Sequence, residues 1–200
     1  CPEMVVLPAG QFAMGSPENE VGRDEDESPQ HQVTISRSFA VGKFEVTVDQ
    51  FAAFVADTGH NASSKCWPFE EGKGDESVDR SWRNPNFGGT HPVVCVNWND
   101  AKAYVAWLTR KTGKFYRLLT EAEWEYSARA GTVTPYNFGY DASALCGNGN
   151  SAELAVKSSV PAANSWPTVS CSDFLANIVP VGSLAANAFG LHDVHGNVWE

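Results

Sequence analysis

The chain has 200 residues, 42% hydrophobic and 12% aromatic with seven Trp, a composition of folded globular proteins rather than disordered ones. Its formal charge of −10 speaks against a phosphate-tracking surface, so nucleic acid is not an expected partner and cations are better ones. No run approaches the roughly twenty apolar residues that cross a bilayer, so no membrane span is expected, and a single domain over residues 1–200 is the simplest organisation.

Met4 to Leu7 and Gln11 to Met14 read as short strands punctuated by Pro8-Ala9-Gly10. Glu18, Glu20, Asp24, Glu25, Asp26 and Glu27 then crowd together with only Arg23 opposing them; a solvated loop is the expectation and a cation site the alternative. Val33 to Val46 alternates as a strand or hairpin. Thr47 caps a helix that carries Phe51, Phe54 and Val55 on one face and stops at Gly59. Val93 to Val96 reads as a buried strand. Asn97 or Asn99 opens a second helix, with Ala101, Tyr104, Val105 and Leu108 on one face and Gly113 at its end. In Thr120-Glu121-Ala122-Glu123 the Thr120 hydroxyl and the Glu123 carboxylate form a capping box, opening a short helix that runs to Ala130 and ends at Gly131.

Elsewhere, from Asn61 to Thr90 and from Thr132 to Asn187, Gly, Pro, Asn, Ser and aromatics dominate. Connections this long need pinning by ions, disulfides or aromatic plugs. Cys1, Cys66, Cys95, Cys146 and Cys171 show no CxxC spacing, which argues against a zinc ribbon or a dithiol redox motif. Pairs Cys66–Cys95 and Cys146–Cys171 would each staple one of these loops, and such bridges favour a secreted or periplasmic location. The start at Cys1-Pro2-Glu3 suggests a processed or trimmed N-terminus. The end at Gly196-Asn197-Val198-Trp199-Glu200, an indole and a carboxylate suited to enclosure, reads as the interior of a longer protein.

Five blocks carry a family resemblance: Met4 to Ser16, Phe44 to Thr47, His91 to Ala101, Leu119 to Arg129, and Gly196 to Glu200. In this order they resemble the formylglycine-generating enzyme (sulfatase-modifying factor) family across nearly the whole chain. The resemblance implies an α+β, C-type-lectin-like fold with little regular structure and long loops. It also implies an oxidase that converts a peptidyl cysteine of a sulfatase-like partner to formylglycine, using dioxygen and a copper(I) ion held by two cysteines. Soft thiolates suit copper(I). In the family that pair lies beyond the Gly-Asn-x-Trp-Glu motif, so none of Cys66, Cys95, Cys146 and Cys171 takes the role, no catalytic residue is assigned, and a C-terminal segment of the same protein is the implied partner.

What the resemblance does place in this chain is two calcium sites. The first would use Asn150 and the carbonyl of Ser151, with Asp173 and the carbonyl of Leu175; Asn148 is the rival of Asn150. The second would use Asp193, the carbonyls of Gly196 and Val198, and Glu200. Calcium takes six to eight oxygen ligands, and carbonyls mixed with carboxylates supply them, although Asp173 and Asp193 could equally cap turns. His192 and His195 are expected to be surface or packed imidazoles, and Glu121, Glu123 and Glu125 to serve the helix start. No G-x-S-x-G elbow supports a serine nucleophile. Trp199 is open between the core and the active cleft, and Asn61-Ala62-Ser63 is a glycosylation sequon.

Departures from the activating enzymes are Leu119 in place of a proline, and Val105 and Ala128 where the vertebrate type has disulfide cysteines. Two alternatives therefore accompany the oxidase. One is a related enzyme, such as a siderophore-maturation oxidase or an iron-dependent sulfoxide synthase. The other is a non-enzymatic lectin-like binding module.

Overall fold

The computed structural model describes residues 1–20, 22–62, 81–83, 88–150 and 178–199. An N-terminal arm of two strands, β1 (Met4–Leu7) and β2 (Gly10–Met14), runs antiparallel to a returning arm of two more, β3 (His31–Ile35) and β4 (Phe39–Gly42). β1 pairs with β4, Leu7 opposite Phe39, and β2 pairs with β3, Gly10 opposite Ile35. The ribbon is interrupted at Pro8-Ala9, where proline has no N–H to give to a ladder. The expected Val33 to Val46 strand or hairpin is thus corrected: its two strands end at Gly42 and pair with the N-terminal arm rather than with each other.

Three helices follow. α1 (Val48–Thr58) begins at Thr47, whose side chain accepts from Gln50 N while Gln50 returns the bond, and ends at Gly59 with φ 65°. α2 (Trp98–Thr112) begins at Asn97 with Asp100 as the reciprocal partner and ends at Gly113 with φ 70°. α3 (Glu121–Arg129) has the expected Thr120–Glu123 box, but its left-handed cap is Ala130 rather than Gly131. Each box satisfies amides that the first helical turn leaves without partners. A single turn, α4 (Leu145–Asn148), precedes Gly149.

The strand expected at Val93 to Val96 does not form. Cys95 sits at φ 61°, outside the extended region, and among the described residues the backbone here gives an isolated Thr47–Pro92 bridge and a 2.8 Å bond from Val93 N to Val46 O.

Two apolar clusters hold these parts together. One lies between α1 and α2 and gathers Phe51, Phe54, Trp82, Tyr104, Trp107 and Leu108. Most of its ring pairs meet tilted or edge-on, Phe51 to Trp82 at 5.1 Å and Phe54 to Trp107 at 5.6 Å between centroids, while Phe51 and Tyr104 stack at 6.1 Å, arrangements that ring quadrupoles favour. Trp107, absent from the expected face, sends its indole N–H to Asp57 Oδ2 at 2.7 Å. The other cluster joins the ribbon to α3 and the C-terminal turn through Leu7, Phe12, Tyr126 and Leu191. The Tyr126 hydroxyl donates to Pro8 O at 3.2 Å, and a side chain at Gly10 would meet that hydroxyl at 2.6 Å. This second cluster seats the segment that carries the candidate site.

Candidate functional site

Asn187 fixes the approach to the site. Buried, it accepts from Phe189 N and Leu191 N and donates to Ser127 O at 2.8 Å, tying the turn to the end of α3. Leu191 enters the ribbon core and His192 N bonds Lys43 O at 3.1 Å. The chain then turns tightly over 193–198, with Asp193 and Asn197 both at positive φ.

Asp193 is 2% exposed. Its Oδ2 accepts from Gly182 N at 2.6 Å and its carbonyl from Gly196 N at 3.2 Å, while Oδ1 is buried without any donor. Facing it is Glu45, whose Oε1 accepts from Asn197 Nδ2 at 2.9 Å and whose Oε2 is likewise buried and unpartnered. Burial first, and the Asp193 charge second, push the Glu45 carboxyl well above the ordinary carboxylate range. A proton kept by Glu45 and shared with Asp193 relieves this pair in one way and a bound cation would relieve it in another; none of the ion-paired cations among the described residues pairs with either.

Asn197 is the hub. It donates to Glu45 and to Val179 O, and its Oδ1 accepts from Val179 N and from Asn150 Nδ2 at 3.3 Å. Its backbone N–H reaches Asn150 O at 2.7 Å. Gly196 lies so close that a Cβ would stand 2.3 Å from Asn150 O, and a Cβ on Gly149 would stand 2.4 Å from His195 O. Asn150, Asp193, Gly196 and Val198 are therefore gathered in one neighbourhood, although the sequence divided them between two sites. Asn148 instead donates back to Ala144 O at 2.8 Å. Ser151, Asp173, Leu175 and Glu200 lie outside the described residues. Among the described residues no three His, Cys, Asp or Glu stand together as a metal cluster.

Both histidines are packed. The His192 ring lies 5.0 Å from Phe44 and its Nδ1 is 2.8 Å from Leu184 O. His195 sits edge-on to the stacked Tyr136 and Phe138 rings, and its Nε2 accepts from Asn137 N at 3.1 Å, which leaves the ring proton to Nδ1. Burial, and then the Arg129 charge, lower its pKa. Glu123 serves the α3 cap, and Glu125 accepts from Gly15 N and from Arg129 Nε at 2.7 Å. Trp199 is 93% exposed. Cys95 and Cys146 are both disulfide-bonded and Cys1 is free and exposed; Cys66 and Cys171, their expected partners, lie outside the described residues.

Glu45 was missed as a site residue. Its only local signal is a carboxylate between apolar Phe44 and Val46 just ahead of a helix cap, and its partners lie some 150 positions away.

Residues 1–200 match the family model of the sulfatase-modifying factor enzyme 1-like domain. The formylglycine-generating enzyme of Mycobacterium tuberculosis is 34% identical over 99% of this chain and 72% of its own length. The inactive C-alpha-formylglycine-generating enzyme 2 of Bos taurus is 33% identical over 98% of the chain and 69% of its own. The structure of PvdO from Pseudomonas aeruginosa superposes with a TM-score of 0.78 at 39% identity, over 99% of this chain and 69% of that one. Mixed helices and small sheets joined by long loops are what the two structures share.

Proposed function

Because the chain belongs to the sulfatase-modifying factor enzyme 1-like family, we propose that it forms the greater part of a formylglycine-generating-type oxidase acting on a peptidyl cysteine. The observation that carries this reading is the match of residues 1–200 to the family together with a 34% identical relative of that name. In balanced form, one peptidyl cysteine, one dioxygen and two reductant thiols yield the aldehyde, hydrogen sulfide, a disulfide and one water.

The described cysteines do not fit a copper(I) centre. Cys95 and Cys146 are held in disulfides and Cys1 stands alone at the surface, whereas copper(I) needs free thiolates converging on it. No step is therefore assigned to them. The two disulfide-bonded positions favour an oxidising compartment.

Calcium fits better. Asp193 offers a buried carboxylate oxygen with no donor, beside Glu45 in the same condition, and hard oxygen donors suit calcium. In this reading Asp193, the carbonyls of Gly196 and Val198, and Glu200 hold one ion, and Asn150, Ser151, Asp173 and Leu175 hold another. The ion's contribution is structural: it supplies the positive charge that the enclosed carboxylates lack and fixes the 193–198 turn.

A second reading is a related oxidase of the same family with another substrate, kept open because the 39% identical PvdO is a related family member that does not carry the formylglycine-generating name. A third is a non-enzymatic member, favoured by the 33% identity to a relative named inactive. Incubating the copper-loaded parent protein with a cysteine peptide, a thiol reductant and oxygen separates them. Oxygen uptake with conversion of the peptide thiol to an aldehyde supports the first reading. Oxygen uptake without peptide aldehyde supports the second, and neither supports the third.

A further inference from the structure

Glu45 lies outside the ligand set that the family resemblance supplies, yet its surroundings resemble those of Asp193. It sits between the end of β4 at Gly42 and the Thr47 cap of α1. This connection is fastened on both sides of Glu45: His192 N bonds Lys43 O at 3.1 Å, Val93 N bonds Val46 O at 2.8 Å, and the Phe44 ring packs 5.0 Å from that of His192. The backbone thus holds Glu45 against the start of the 193–198 turn. Lys43, the cation nearest to it in the chain, is drawn away to Glu3 at 2.8 Å.

The two carboxyl groups are satisfied in the same incomplete way. Gly182 N donates to Asp193 Oδ2 at 2.6 Å and Asn197 Nδ2 to Glu45 Oε1 at 2.9 Å, while the other oxygen of each is buried without a donor. The Val198 carbonyl also accepts nothing among the described residues. One hydrogen bond between the two leftover carboxyl oxygens would need only one acid, and an amide at either position would supply its donor without enclosing a charge. Two acids concentrate negative charge instead, which is costly to bury unless a cation uses it. Burial and the Asp193 charge together raise the Glu45 pKa, and a divalent ion beside such a pair acts in the opposite direction.

We infer that Glu45 is a further ligand of the ion held by Asp193, one carboxylate more than the family pattern names. The inference rests on the calcium reading of the 193–198 turn and extends it. Carboxylate oxygen is the donor that calcium takes, and a set of about six to eight ligands has room for another beside Asp193 and the carbonyls of Gly196 and Val198. The ion then ties the β4–α1 connection to the turn, two parts of the chain that the sequence keeps far apart.

Calcium is titrated calorimetrically into the chelator-stripped protein and into Glu45→Gln. The amide keeps an oxygen for Asn197 and offers Asp193 an N–H, so the variant reproduces what a shared proton would do and removes only the charge. Its calcium dissociation constant is expected to rise at least about tenfold, the scale on which losses around a metal site are felt. Equal affinity in the two proteins would overturn the inference and leave the calcium reading standing, whereas no calcium uptake by the unsubstituted protein would overturn both. Carbon-13 NMR of the glutamate carboxyl groups in the unsubstituted protein is a readout that needs no folded variant. The Glu45 resonance should shift on calcium addition and return with chelator, and a resonance that calcium leaves in place would equally sink the inference.

Discussion

Glu45 and Asn197 stand 152 positions apart in the chain, yet the Asn197 side-chain amide donates to Glu45 Oε1 at 2.9 Å. That contact joins the approach to α1 to the tight turn at the other end of the described chain. The same Asn197 side chain holds Val179 from both sides and accepts from Asn150, so four stretches of chain meet at one amide. Asn is suited to the post twice over: it has donors and an acceptor to distribute, and it tolerates the φ of 65° found there.

Asn197→Ala should therefore cost more than one hydrogen bond. It strands Glu45 and both polar groups of Val179, and leaving buried groups unpaired costs about 1–3 kcal/mol apiece. A loss of about 3 kcal/mol in urea denaturation is expected, with the denaturant slope unchanged. Asn197→Asp keeps the acceptor but loses the donors to Glu45 Oε1 and Val179 O, and should be nearly as harmful.

Gly196 has no room for a side chain. A Cβ there would lie 2.3 Å from the Asn150 carbonyl oxygen, a backbone atom that cannot swing aside, at a φ of 152°. Gly196→Ala should push the 193–198 turn off the 145–150 segment at a cost of about 2–3 kcal/mol, from overpacking and backbone strain together. Thermal denaturation measures the loss. Gly147→Ala, where a Cβ meets nothing within 4 Å, is the control and should leave the melting temperature within about 2 °C.

The capped helices could be read from the chain because their signals are local: Thr47 with Gln50, and Thr120 with Glu123, lie three residues apart, and Gly59 and Gly113 close the turns they follow. The strand expected at Val93 to Val96 failed for an equally local reason with no sequence signature, the positive φ of Cys95. The Val33 to Val46 alternation was real, but periodicity says nothing of which segment a strand pairs with, and the partner was the N-terminal arm. At the site, Asp193 and Gly196 stood out through the family pattern. Glu45 did not, because its role arises only when the fold closes over Asp193 and leaves one oxygen of each carboxyl group without a donor.

Glu123 should govern part of the acid response. The paired Arg117 guanidinium, which donates to both of its oxygens at 2.6 Å, is the main cause that brings its pKa down to about 2 from 4.5. A folded value below the unfolded one means that the ionised form stabilises the fold. That stability is complete above the unfolded value of 4.5 and is lost as the pH falls from there toward about 2. Arg117→Ala should flatten the decline of melting temperature between these limits and lower it modestly at pH 7, by less than about 1 kcal/mol once solvent screening of the half-exposed Arg117 is allowed for. Parallel pH curves for the two proteins would contradict this assignment.

The central claim is that the enclosed Asp193 carboxylate is there to hold a cation. Differential scanning calorimetry of the protein, first stripped by chelator and then titrated with calcium, tests it most directly against Asp193→Ala. Binding to the folded state alone stabilises by mass action, about 2.7 kcal/mol at a hundredfold excess over the dissociation constant. The melting temperature of the unsubstituted protein should therefore climb with calcium and fall back on chelation, while that of Asp193→Ala should respond much less. Identical melting temperatures with chelator and with saturating calcium would contradict the claim.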